Sequence, residues 1–355
     1  SRRKRPKPLL PLAEGQSLLR LAWDRLEGLI PRENRFVAAP EALEDPIRRE
    51  LGLPAGQFIG EPQGRDTLNA LGLALGLLHR RDPEGITGVF SADHIMLPRQ
   101  AFLSTLRRGY EIAAAGKNTL LCFGVPPTEA SPAFGYLELG ESLKTGEVGA
   151  RRVVSFREKP PRRVAEEFFR EGPDRFLWNA GVFVFKNSVF LRALKKHVPE
   201  NAGPLEQIVR AWDAPVPEAP PGRFPDNCRT LFAGLKKISV DYGIMEPASR
   251  DKDFEVAALP LTLDWRDIGS WPACAGLWPE DPQGNHSGPG RILFKDCRGS
   301  FAFSEDPRHL IAALGCDDLI IVHTPQATLV CPWNEAQGVK DLPALAEAQF
   351  GEEFL

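Results

Sequence analysis

Five short stretches of this chain carry side chains able to do phosphate or sugar chemistry, and each stands beside a strand-like run. Ser91-Ala92-Asp93-His94 follows the apolar run 88–90. An aspartate there can hold magnesium, which takes carboxylate and phosphate oxygens, or can simply cap the next helix. Trp265-Arg266-Asp267-Ile268-Gly269-Ser270-Trp271 offers a second carboxylate, with a helix N-cap again as the plain alternative. Glu158-Lys159-Pro160 sets an ammonium suited to phosphate beside a carboxylate that accepts from sugar hydroxyls, or else is an exposed charged turn. Trp178-Asn179-Ala180-Gly181 gives an amide that donates and accepts, then a glycine that permits close backbone approach. A buried Asn satisfying a turn would read the same way. Glu61-Pro62-Gln63-Gly64-Arg65-Asp66-Thr67 has amides that could line a nucleotide pocket, while Asp66 also suits a helix cap. No stretch decides alone.

The elements that must position these residues alternate. Strand-like runs at 35–39, 57–60, 88–91 and 119–123 are separated by helix-length amphipathic segments at 41–51, 67–80 and 99–115. This alternation predicts an α/β fold with a mostly parallel, Rossmann-like sheet covered on both faces. In such sheets ligands bind outside the carboxyl ends of strands. Further strands are expected at 152–156 and 181–185, and the Pro-rich stretch 215–225 as a surface loop. Beyond Pro282 the short apolar runs 292–294, 301–303, 319–323 and 327–331 predict a small all-β domain, with no fixed-length repeat. The expected division is 1–281 and 282–355.

Composition narrows the function classes. Net charge is -3, so no global field attracts nucleic acid or an anionic membrane. The one dense basic run is Arg2-Arg3-Lys4-Arg5 with Lys7. No apolar stretch approaches the roughly 20 residues that span a bilayer, and no leader pattern opens the sequence. Six cysteines without a Cys-x-x-Cys pair fit reduced thiols and a cytoplasmic location.

In register, these stretches resemble the sugar-nucleotide pyrophosphorylase family, most closely its mannose-1-phosphate guanylyltransferase branch. The likeness also takes in Arg5-Pro6-Lys7-Pro8-Leu9-Leu10, Phe134-Gly135-Tyr136 and Val240-Asp241-Tyr242-Gly243-Ile244-Met245-Glu246, and spans nearly the whole chain. The resemblance implies transfer of GMP from GTP to mannose 1-phosphate, releasing pyrophosphate. It implies magnesium on Asp93 and Asp267, Lys7 at the reacting phosphates and Lys159 at the sugar phosphate. Glu158 and Asn179 would orient sugar hydroxyls, Gly135 and Gly181 would allow close approach, and Glu61, Gly64 and Arg65 would lie beside the guanosine. A small β-helix-like C-terminal domain and a homodimer are expected too, without the isomerase domain of longer relatives. The family's Gly-rich loop and first strand would precede Ser1, so the resemblance implies that both are missing from the given sequence, an absence that can leave the chain as given inactive. Asp66 stands where the family usually has Asn, and Ala180 where Ser is common. Two alternatives remain: another sugar and nucleotide pair, or a non-catalytic regulatory homologue that binds sugar nucleotides.

Overall fold

The computed structural model describes residues 6–12, 15–143, 149–212 and 224–351. The basic run at 2–5 and positions 215–223 of the Pro-rich stretch lie outside the described residues. The chain forms two compact units, Arg25–Ser91 with Met96–Trp265, and Ser1–Asp24 with Ala92–Ile95 and Arg266–Leu355. Packing thus groups the chain differently from its order along the sequence.

The larger unit is built on a six-stranded sheet. Its order is Ile86–Val89, Phe176–Lys186, Thr119–Val125, Glu255–Pro260, Arg151–Arg157, Tyr136–Ser142, and the last strand also returns to Phe176–Lys186. Side chains alternate between faces with the strand period of two. Leu120 and Cys122 enter one apolar cluster with Val256 and Ala258, whereas Leu121, Phe123 and Val125 enter a second with Ala257 and Leu259. Both faces are therefore covered, as the continuous apolar run requires. Within this sheet, among the described residues, Thr119–Val125 and Glu255–Pro260 pair in parallel. Tyr136–Ser142 and Arg151–Arg157 stand too close in sequence for the dozen or so residues that a parallel crossover needs, and they pair antiparallel. A separate parallel pair joins Val37–Pro40 to Phe58–Glu61.

Helices cover the sheet by ordinary amphipathic spacing. Arg99–Ala115 buries Phe102, Leu103, Leu106, Ile112 and Ala113 along one stripe. Thr67–Arg81 meets Pro199–Ala211 through Gly72 and Gly76, where an added Cβ would stand 2.7 Å from Leu205 and from Val209. The small residues let the two helices approach closely.

The smaller unit holds the β-rich tail. Arg291–Lys295 pairs in parallel with Leu310–Leu314, and Phe301–Ser304 with Leu319–Thr324. Arg291 faces Leu310, Arg298 faces Asp317 and Phe301 faces Ile320, so each partner lies nineteen positions further on. Positive φ recurs at the same offset, at Asp296 and Gly315 and at Gly299 and Asp318. Cys316 N donates to the Sγ of Cys297 at 3.5 Å. The tail is thus two turns of a coil with a nineteen-residue repeat, which the sequence reading missed. Across these turns only Ile292 with Ile311 and Cys297 with Cys316 are identical, and the rest is shared backbone geometry. Inside the coil Phe301, Phe303, Ile320 and Val322 pack with Leu10, Leu12, Leu18, Ile268 and Trp271. That contact explains why the segments carrying Lys7 and Asp267 belong to the tail's unit and not to the larger one.

Candidate active site

The smaller unit brings the predicted Asp93 and Asp267 together, with His94 beside them. One ligand atom each from Asp93, His94 and Asp267 lies within 4.8 Å of the others. His94 Nε2 is 3.9 Å from an oxygen of either aspartate. A backbone bond from Ile268 N to Asp93 O, 3.1 Å, clamps the two segments side by side. Neither aspartate caps a helix. Pro98 occupies the N-cap of Arg99–Ala115, and Ser270 Oγ caps Trp271–Ala275 by accepting from Ala273 N at 3.2 Å. Burial, then the charge of Asp93, pushes the Asp267 pKa up, against the opposing pull of His94 and Lys7. Lys7, only 8% exposed, sits in the turn Lys7–Leu9. Burial lowers its pKa, while Cys274, Asp93 and Asp267 act to raise it. Two half-buried carboxylates beside a buried ammonium make a pocket of fixed charges. The carboxylate oxygens suit a hard divalent cation, and the His94 nitrogen suits it less.

The larger unit collects the second set. Gly135, Glu158, Lys159, Asn179 and Gly181 converge where Tyr136–Ser142, Arg151–Arg157 and Phe176–Lys186 meet. Asn179 N donates to Gly135 O at 2.8 Å. A Cβ on Gly135 would stand 2.5 Å from Glu158 Oε2, so any larger residue there would displace that carboxylate. Lys159 Nζ lies 3.3 Å from Glu158 Oε1. Lys159 itself has φ 44, a costly conformation for a side-chain-bearing residue and the kind found at ligand clamps. Burial and then the neighbouring Asp241 push the Glu158 pKa up to about 7, with Lys159 opposing. Phe134, Trp178 and Trp265 form an aromatic wall next to Gly135, with ring centroids 4.8 and 5.2 Å from Phe134.

The loop after Phe58–Glu61 carries the third set. Glu61 is 6% exposed, and burial first, then Asp66, pushes its pKa up to about 7 against a backbone bond from Arg65. Among the described residues its buried Oε2 has no hydrogen-bond partner. Arg65 donates to Ala233 O. Asp66 does cap Thr67–Arg81, accepting from Thr67 N at 2.8 Å, with φ 69 and ψ 169. That region is essentially reserved for glycine, so the loop is held in tension. Gly64 has open space around it, with nothing within 4 Å of an added Cβ.

The family model described as Nucleotidyl transferase matches residues 2–280. The chain belongs to the nucleotidyl transferase family. A second model, the MannoseP isomerase/GMP-like beta-helix domain, matches residues 290–342, where the coil lies. This nucleotidyl transferase is 31% identical over 353 residues to the mannose-1-phosphate guanylyltransferase RfbM of Salmonella typhimurium, covering 96% of this chain and 68% of the relative. It superposes with a TM-score of 0.80 and 29% identity on a Thermus thermophilus protein described as a mannose-1-phosphate geranyltransferase, covering 98% and 94% of the two chains. A Helicobacter pylori protein described as a mannose-6-phosphate isomerase aligns at TM-score 0.60 and 25% identity, over 74% of this chain and 95% of that one.

Three groups at these sites escaped the sequence reading as actors. His94 and Asp241 stood inside quoted motifs without a role. Asn69 and Asn201 form a buried pair, Asn201 Nδ2 donating to Asn69 Oδ1 at 2.8 Å. Each also bonds Lys236 O, at 2.9 and 2.8 Å, and Asn69 Nδ2 donates to Arg65 O at 2.6 Å. That bridge ties the Arg65 loop to the strand-free segment 233–240, and no spacing rule signals it.

Proposed function

We propose that this nucleotidyl transferase moves GMP from GTP to mannose 1-phosphate, giving GDP-mannose and pyrophosphate. The observation that carries the reading is the approach of Asp93 and Asp267, remote in sequence, with Lys7 beside them. The attacking oxygen belongs to a phosphate monoester whose second pKa is about 6, so it is ionised at neutral pH without a general base. What the protein must supply is alignment of two repelling anions and positive charge where negative charge develops. Lys7 gives that charge from a buried site. Asp93 and Asp267 would hold magnesium, which when bound neutralises phosphate oxygens. Lys159 would bind the sugar phosphate, and Glu158 in its ionised form would accept from sugar hydroxyls. Gly135 and Gly181 would admit the sugar ring. Glu61, with a carboxylate oxygen that has no partner among the described residues, would accept from the guanine edge beside Gly64 and Arg65. Residues 1–281 would form the catalytic domain and 282–355 the β-helix-like one. Six unpaired cysteines support a cytoplasmic location, and among described residues no helix is long and apolar enough to cross a membrane. Exposed Leu293, Leu310 and Leu314 on the coil support a homodimer.

The test is pyrophosphate release from each of the four triphosphates with mannose 1-phosphate and magnesium. GTP preference is expected, and preference for UTP would sink the guanylyl assignment. The Helicobacter pylori neighbour's description warrants a parallel assay of mannose 6-phosphate isomerisation. Isomerisation without nucleotidyl transfer would replace this reading. Mass in solution checks the dimer.

A further inference from the structure

Among the carboxylates of the sugar-side cluster, Asp241 has been given no role. Asp241 opens the π-helical turn Asp241–Met245, a form that tends to occur at functional sites. The turn is fixed from two sides. Val240 N donates to Thr67 Oγ1 at 2.9 Å, and Gly243 lies so close to Leu68 that a Cβ there would be 2.3 Å from its Cδ1. From this anchored position Asp241 Oδ1 accepts from Asn179 Nδ2 at 2.9 Å. At the amide's other end, Gly181 N donates to Asn179 Oδ1 at 3.2 Å. The two ends of the amide therefore have partners of opposite kind, which fixes which end is oxygen and which is nitrogen. Each end keeps one further bonding direction, an N–H and a lone pair.

We propose that Asp241 is a positioning residue: it locks the Asn179 amide in one orientation, so that its remaining donor and acceptor present a fixed pattern to the hydroxyls of the sugar 1-phosphate. The inference rests on the reading of Asn179 as a sugar-facing group. Asp241 acts through a hydrogen bond that an uncharged acceptor can replace. Its charge also faces Lys159 and Glu158, and the variants must separate the two effects.

The experiment measures affinity of the full chain for mannose 1-phosphate by calorimetry, KM for both substrates, and the Asn179 side-chain NH2 resonances by NMR. Asp241→Asn keeps an acceptor oxygen and is expected to stay within about threefold of the wild type. Asp241→Ala and Asn179→Ala should each weaken mannose 1-phosphate binding roughly tenfold, leave the KM for GTP unchanged, and weaken it no further when combined. In Asp241→Ala the separated, slowly exchanging NH2 pair should collapse. Losses that multiply in the double variant, a parallel rise in the KM for GTP, or an Asp241→Asn protein as weak as Asp241→Ala would each overturn the proposal. If Asp241→Ala does not fold, Asn179→Asp, which turns the donor into a second acceptor facing Asp241, carries the same expectation. A wild type that binds no mannose 1-phosphate defeats the substrate reading instead, and the NH2 resonances still decide whether Asp241 orients the amide.

Discussion

At the residue scale, the two elevated carboxyls make pH the sharpest probe. Glu158 and Glu61 have pKa values near 7 in the folded chain against 4.5 as the ordinary value. The folded state therefore holds protons that the unfolded chain releases first, and stability falls as pH rises from about 4.5 through 7. Glu61→Gln and Glu158→Gln should flatten that fall, each by roughly 3 kcal/mol at most, in denaturant titrations at pH 5 and pH 8. Binding runs the other way. Affinity for mannose 1-phosphate should rise as Glu158 ionises near pH 7, and Glu158→Gln should remove that limb while leaving the limb from the phosphate itself near pH 6. Asp267→Asn is expected to lower kcat by roughly a hundredfold to a thousandfold. It should also raise the Tm of the magnesium-free protein, because a buried charge next to Asp93 is gone, and abolish the further rise that magnesium gives the wild type. Calorimetric scans with and without the ion check both. The placement of Asp93, Glu158, Lys159 and Asn179 beside strands was legible beforehand, since each ends or follows a recognisable apolar run. His94 and Asp241 were not, because a single side chain's partners are set by tertiary approach and leave no periodic trace.

At the element scale, the junctions around strands and helices decide where loops point. The Asn69–Asn201 bridge holds the Arg65 loop through Lys236 O, and Lys236 N donates back to Asn201 Oδ1 at 3.1 Å. Asn201→Ala leaves these buried groups unmet and should cost about 2 kcal/mol, with a larger rise in KM for the nucleotide than for the sugar phosphate. An equal rise in both would show that the bridge supports the unit generally and not the loop. The helices 67–81 and 99–115 could be read from amphipathic spacing almost to the residue. Strand pairing could not, because apolar alternation marks a covered strand but is silent on the direction of its neighbour.

At the scale of the whole molecule, the tail is part of the foundation of the phosphate-side residues. Phe301 and Phe303 share one apolar cluster with Leu10, Leu12 and Ile268, which flank Lys7 and Asp267. Phe301→Ala should cost about 3–5 kcal/mol and lower kcat, although the ring touches no substrate in the proposed reaction. An unfolding titration and a turnover assay on one preparation would show it, and unchanged turnover in a destabilised protein would separate the coil from catalysis. The sequence suggested a boundary near residue 282 because periodicity changes there. Covalent order, however, does not reveal which segments share a core.

The recurring nineteen-residue coil also makes the length of this domain quantised. Each winding adds one rung of strand, about 4.8 Å of stack, and meets only the winding before and after it. A duplication of one complete winding can slide in as an extra rung with its Cys and positive-φ corners in register. An insertion of any other size must be thrown out as a loop, so changes in domain length among similar chains should come in whole rungs.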